Sequence, residues 1–92
     1  MTTIAKHLTI RGRVQGVGFR QYMEYKARQF QITGWVRNRA GGSVEAVVSG
    51  TPEAVQAMLA RARHGPPAAK VTAVEVSDSS ETFARFETLP TV

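Results

Sequence analysis

Apolar residues of one parity mark the start of the chain, at Ile4, Leu8, Ile10 and Val14, with His7, Thr9, Arg11 and Arg13 on the other. Alternation of this kind has the period of a half-buried strand and predicts one over about Ile4 to Val14. The period then changes. Phe19, Tyr22, Met23, Ala27 and Phe30 recur in steps of three and four, predicting a helix over about Phe19 to Phe30 that packs this stripe on a sheet and turns Gln21, Glu24, Arg28 and Gln29 to water. Glu24 precedes Arg28 by one helical turn, the favourable order for an ion pair. A second strand is predicted over about Gly34 to Arg39. Ala40-Gly41-Gly42 breaks it, and Val44, Ala46 and Val48 alternate as a third, so the two form a hairpin. The second helix is bounded by local chemistry. Thr51 is its N-cap, Pro52 its first residue and Glu53 an acid in its first turn, while Arg61, Arg63 and His64 precede Gly65 and two prolines. Its buried face is Val55, Met58, Leu59 and Ala62. A fourth strand over about Val71 to Ser77 buries Val74 and Val76. A polar stretch from Asp78 to Thr82 leads to a short last strand around Phe83 to Glu87.

The order strand, helix, strand, strand, helix, strand specifies an α+β fold on the ferredoxin-like βαββαβ plan, an antiparallel sheet with two helices on one face. Strand one, helix one and strand two form a crossover unit, so strands one and two run the same way and strand three pairs between them. Their C-terminal ends then lie at one end of the sheet. That topology brings the loop from Gln15 to Arg20 beside Arg37 and Asn38.

The segment joining the first strand to the first helix, Gly12-Arg13-Val14-Gln15-Gly16-Val17-Gly18-Phe19-Arg20, is the chemical focus of the sequence. Its glycines permit positive φ angles, which let successive N–H groups point into one concavity. The helix start adds unpaired N–H groups and partial positive charge. With Arg20 in the first helical turn, the segment has the parts of a phosphate or carboxylate site.

Composition narrows the partners. A length of 92 residues predicts one domain, residues 1–92, able to fold without staples. The absence of cysteine excludes disulfides, a cysteine nucleophile and a thiolate metal site. No signal-like or membrane-spanning run is present, so a cytoplasmic protein is expected. A net charge of +5 and a pI near 10.5 suggest a small phosphorylated molecule or a nucleic acid as partner, although a basic balance also simply keeps a small protein in solution. Clustering of Arg11, Arg13, Arg20, Arg37 and Arg39 around the turn and second strand, with no long like-charge run, favours the small molecule.

Familiar catalytic sets are missing. His7, on an exposed strand face, and His64, closing a helix, belong to no metal-spaced cluster, so no metal or other cofactor is expected. No carboxylate pair adjoins the turn, because Glu24 is placed on the outer face of the first helix and Glu45 on the outer register of strand three. The glycines match neither the dinucleotide fingerprint nor the P-loop. An anion cradle, one arginine and one asparagine remain. Such a set suits a substrate whose leaving group is already good, such as an acyl phosphate, where charge must be held and a water positioned.

Gly12-Arg13-Val14-Gln15-Gly16-Val17 with Phe19-Arg20, then Gly34-Trp35-Val36-Arg37-Asn38 with Gly42 and Val44, and later Gly65-Pro66-Pro67 resemble the acylphosphatases over nearly the whole chain. The resemblance implies hydrolysis of a small acyl phosphate, with inorganic phosphate as product and inhibitor, by a monomer with no nucleic-acid or membrane partner. It implies that Arg20 binds the phosphate together with the backbone N–H groups of Gln15, Gly16, Val17, Gly18, Phe19 and Arg20, and that Asn38 orients the attacking water. A non-catalytic anion-binding domain of the same shape is the alternative. Gly41 stands where many family members carry Asp or Asn, which leaves the hairpin turn to be established.

Each of these features has a plainer use when taken alone: glycines make turns, Arg20 is a helix-surface charge, and Asn38 ends a strand. Their joint placement at one sheet end is what favours a site. An RNA-binding module on the same fold would need aromatics on the central strands, and strands one and three offer none outward. Trp35, without a second aromatic among its sequence neighbours, is read as a packing residue.

Overall fold

A computed structural model describes residues 2–92 of the chain, and the predicted elements occur in the predicted order: β1 (Ile4–Arg13), α1 (Phe19–Phe30), β2 (Thr33–Asn38), β3 (Val44–Gly50), α2 (Pro52–His64), β4 (Lys70–Ser79) and β5 (Phe86–Thr88). The sheet order is β4-β1-β3-β2-β5. β3 pairs antiparallel with β1 on one side and β2 on the other, so the crossover geometry is as expected.

The expected all-antiparallel sheet needs one correction, because β5 runs parallel to β2. β4 lies at the opposite edge, its Ser79 beside Ala5, and pairing with β2 begins at Phe86 beside Gly34. The chain therefore crosses the end of the sheet between these points and runs up the β2 edge in the direction of β2 itself. This passage also explains why the last strand starts later than Phe83: no partner is available until the chain comes alongside Gly34, whose N–H donates to the Arg85 carbonyl at 3.0 Å.

One core fills the space between the sheet and both helices. Leu8, Ile10, Val14, Val36, Val44, Ala46 and Val48 come from the sheet side, and Phe19, Met23, Ala27, Val55, Met58, Leu59 and Ala62 from the helices. Tyr22 ties the helices together, its hydroxyl donating to the Arg61 carbonyl at 3.0 Å. Burial raises the pKa of this phenol, against the opposing pull of the Arg61 charge. On β4, Val74 packs on the core but Val76 is 38% exposed, contrary to the expectation that both are buried. It shares a register pair with Leu8, but on an edge strand it has a neighbour on one side only.

The opposite face of the sheet carries a compact polar cluster. Val47, in register with both His7 and Trp35, is 1% exposed beneath them. Trp35 is a packing residue, as expected. Its ring partner comes from β1: His7 meets it edge-on at 6.4 Å, and the Arg37 guanidinium lies 4.8 Å from its ring centre. Glu45 is the hub. It accepts from Arg37 Nε at 2.8 Å and from Arg39 at 3.2 Å, and its second oxygen lies 2.6 Å from His7 Nε2.

At the β2–β3 hairpin, Arg39 N–H donates to the Ser43 carbonyl at 2.9 Å and Gly42 N–H to the Arg39 carbonyl at 3.0 Å. Gly42 takes the left-handed position (φ 103°), while Gly41 does not. A Cβ at Gly41 would meet open space, so this departure from the family pattern leaves the three-residue turn intact.

Burial pushes the Glu45 carboxyl up, but the hydrogen bonds from His7 and Arg37 outweigh it and hold its pKa below the ordinary range. A depressed carboxyl stabilises the fold above its unfolded pKa, and that contribution is lost as pH falls through the folded value. Glu45→Gln should therefore cost about 1–2 kcal/mol near neutrality. The gap to wild type should close in acid, and thermal unfolding against pH checks this. A gap unchanged below the carboxylate range would show that Glu45 acts by packing alone.

Candidate active site

Three apolar anchors hold the loop between β1 and α1. Val14 and Phe19 are 1% and 2% exposed, and Val17 packs on the core between them. The intervening residues are thereby pushed outward. Gly16 and Gly18 adopt φ of 75° and 78°, a left-handed backbone that residues with a Cβ enter at a cost.

The two helix starts differ in a way that bears on chemistry. α2 is capped by its own side chain, with Thr51 Oγ1 accepting from Ala54 N–H at 3.2 Å, and Glu53 sits in its first turn. α1 begins at Gly18 with no side-chain cap and no acid in its first turn. First-turn N–H groups have no acceptor inside a helix. At α1 they meet Arg20 rather than a carboxylate, an arrangement that favours an external anion.

A cavity of about 550 Å³ opens here, lined by Gln15, Gly16, Gly18, Phe19 and Arg20 from the loop and helix start and by Asn38 from the end of β2. Val14, Gln21, Glu24 and Thr88 complete its wall. Arg20 forms no salt bridge among the described residues, whereas Arg11, Arg28, Arg37, Arg39 and Arg85 each face a carboxylate. The backbone at Asn38 is fixed from both sides: its register partner is Val44, and its carbonyl accepts from Val92 N–H at 3.3 Å.

Of the residues expected at the site, Gln15, Gly16, Gly18, Phe19, Arg20 and Asn38 share this cavity. Val17 turns its side chain to the core, so only its backbone is available to a ligand. Arg37 is elsewhere, on the opposite sheet face with Glu45. The alternation that aims Asn38 at the cavity aims its neighbour away.

The cavity also holds groups that were not expected there. Glu24 and Gln21, both expected to face water, line the wall with Thr88. The spacing of Glu24 from Arg20, one helical turn on, was a usable sign, since such residues share a helix face. The Glu24 oxygens accept from Arg28 at 2.8 Å and from Thr88 Oγ1 at 2.6 Å. Thr88 arrives only through the parallel β5, and no local pattern announced it.

Fold and cavity together define a ferredoxin-like α+β domain with a glycine-rich loop and a cavity at the end of its sheet. The acylphosphatase family model matches residues 6–88, and the chain belongs to the acylphosphatase family. It is 53% identical over 81 residues to an acylphosphatase of Thiobacillus denitrificans, spanning 88% of this chain and 91% of that one. It is 54% identical over 76 residues to an acylphosphatase of Thermococcus kodakarensis, spanning 83% and 84%. Among solved structures, acylphosphatase from Bacillus subtilis superposes with a TM-score of 0.89 at 34% identity, over 94% of this chain and 98% of that one. Full-length HypF shares the fold alone, at 22% identity and a TM-score of 0.90, over 98% of this chain but 12% of that much longer one.

If the uncapped start of α1 is an anion cradle, inorganic phosphate should stabilise the protein. At about a hundred times its Kd the gain should be about 2.7 kcal/mol, and roughly 4–8 °C in thermal midpoint accompanies each kcal/mol for a domain of this size. Arg20→Ala should lose most of the shift at the same phosphate concentration. A wild-type midpoint indifferent to phosphate would mean that the cradle binds no anion.

Proposed function

We propose that this acylphosphatase-family chain hydrolyses the carboxyl–phosphate bond of small acyl phosphates, releasing a carboxylate and inorganic phosphate. The observation that carries the reading is the meeting of Arg20, Asn38 and the glycine loop in one cavity. The phosphoryl group sits in the cradle, held by N–H groups of residues 15 to 20 and by Arg20, whose planar guanidinium offers two parallel donors to phosphate oxygens. The Asn38 amide accepts from a water through its oxygen and donates through its nitrogen, which fixes the water's position opposite the leaving group. The water oxygen bonds to phosphorus as the bond to the acyl oxygen breaks. The carboxylate leaves with the electron pair, and the proton passes to the phosphate.

No strong base is needed, because a carboxylate is a good leaving group and the work is positioning and charge stabilisation. Glu24 fits this account as a wall residue, since both of its oxygens already accept hydrogen bonds. Among the described residues no group of three or more His, Cys, Asp or Glu could hold a metal, and no helix is long and apolar enough to cross a membrane. We take the protein to act as a cytoplasmic monomer on a small-molecule substrate.

Hydrolysis of benzoyl phosphate, followed optically, tests the proposal. Arg20→Lys should fall by a factor of several hundred, equivalent to about 3–4 kcal/mol, because a point charge replaces a bidentate anchor. Asn38→Ala should lower kcat strongly while competitive inhibition by phosphate stays nearly intact, the pattern of an interaction made mainly in the transition state. Asn38→Asp should lose both activity and phosphate affinity, since its charge repels the substrate. A folded wild type that binds phosphate but hydrolyses no acyl phosphate would favour the non-catalytic anion-binding reading. An Asn38→Asp enzyme as fast as wild type would mean that the reaction is limited by a base.

A further inference from the structure

The side chain of Gln15 crosses from the glycine loop to the β2–β3 hairpin. Its Nε2 donates to the Arg39 carbonyl at 2.8 Å and to the Ser43 carbonyl at 2.9 Å. A side-chain amide has two N–H donors, so both are used. The two acceptors are the carbonyls that close the hairpin, one taking the Gly42 N–H and the other the Arg39 N–H. They also flank the register pair of Asn38 and Val44. Gln15 therefore grips the rung next to Asn38 while its own backbone belongs to the phosphate loop, held one residue away by the buried Val14.

We propose that Gln15 is a positioning residue that sets the distance between the phosphate cradle and the Asn38 amide, so that a held phosphoryl group and an oriented water meet in line. This assignment rests on the proposed role of Asn38. The arrangement suits such a part. The cradle is built on α1 and the core, whereas Asn38 stands at a hairpin end held from the side away from the loop by the segment around Val92, through Ala40 N–H to the Val92 carbonyl at 2.8 Å and Val92 N–H to the Asn38 carbonyl at 3.3 Å. Among the described residues, no other side-chain hydrogen bond joins the loop to the hairpin end, so without the Gln15 clamp the two are connected through the sheet beneath them. A displacement of about 1 Å at a reacting centre costs about a hundredfold in rate. Phosphate binding uses the loop and Arg20 alone and does not sense this distance.

A double-mutant cycle on kcat for benzoyl phosphate, combining Gln15→Met with Asn38→Ala, separates positioning from mere structural support. Methionine matches glutamine in length and has no N–H to donate. Gln15→Met alone should lower kcat about ten- to a hundredfold, with the phosphate inhibition constant moving less than about twofold. In the Asn38→Ala background the same change should cost less than about twofold, because the group it positions is gone. Gln15→Asn keeps the amide but is one methylene short of both carbonyls, and it should repeat the pattern; this variant stands in if the methionine variant fails to fold. Losses that multiply across the cycle, wild-type kcat in Gln15→Asn, or a loss confined to phosphate affinity would overturn the assignment while leaving the hydrolase reading in place. Wild-type kcat in Asn38→Ala would overturn both.

Discussion

With β3 hydrogen-bonded to β1 on one side and β2 on the other, the two parallel strands of the crossover end at the same level. Everything at the site follows from that constraint. β1 delivers the glycine loop and the start of α1 to this level, and β2 delivers Asn38. The buried valines and alanine of β3 make its position non-negotiable, because a one-residue slip would turn Val44, Ala46 and Val48 away from the helices. The apolar core and the geometry of the cavity are thus specified by the same register.

The fold leaves the start of α1 incomplete in local terms. α2 satisfies its first turn with Thr51 and Glu53, and α1 omits both devices. With glycine at the N-cap, the missing side-chain cap costs only about a few tenths of a kcal/mol, and the apolar anchors at Val14, Val17 and Phe19 fix the loop from below. Two polar side chains of the wall are already engaged, Glu24 by Arg28 and Thr88 and Gln15 by the hairpin. Arg20 stands apart from these pairings, the one arginine of the cavity wall.

Periodicity and end signals placed both helices and the four main strands, because each is set by residues within a few positions of one another. The meeting of Arg20 and Asn38 was also readable, since handed crossovers and strand pairing admit few arrangements. What escaped depends on contacts between distant segments. Thr88 lines the cavity because β5 runs parallel to β2, and a three-residue strand has too short a pattern to declare its direction. Glu24 looked solvated because a helical stripe identifies the core face but not what lies beyond the end of the sheet. Arg37 looked like a site residue from its neighbour's position, and the strand pleat sent it to the other face. His7 looked like an ordinary surface residue until β3 brought Glu45 to it.

The same insertion of β3 has a consequence for the order in which function is gained. The β2–β3 hairpin and the backbone ladders of both helices are made of contacts close in sequence, which carry little loop-closure cost. β1 meets β3 only by closing a loop that runs from the first strand past α1 and β2, a non-local step of the kind that slows folding. Arg20 and Asn38 line one cavity only after that closure, with Ile10 against Val44. Regain of turnover during refolding therefore reports the joining of the sheet. In this protein the substrate itself is a probe of long-range topology.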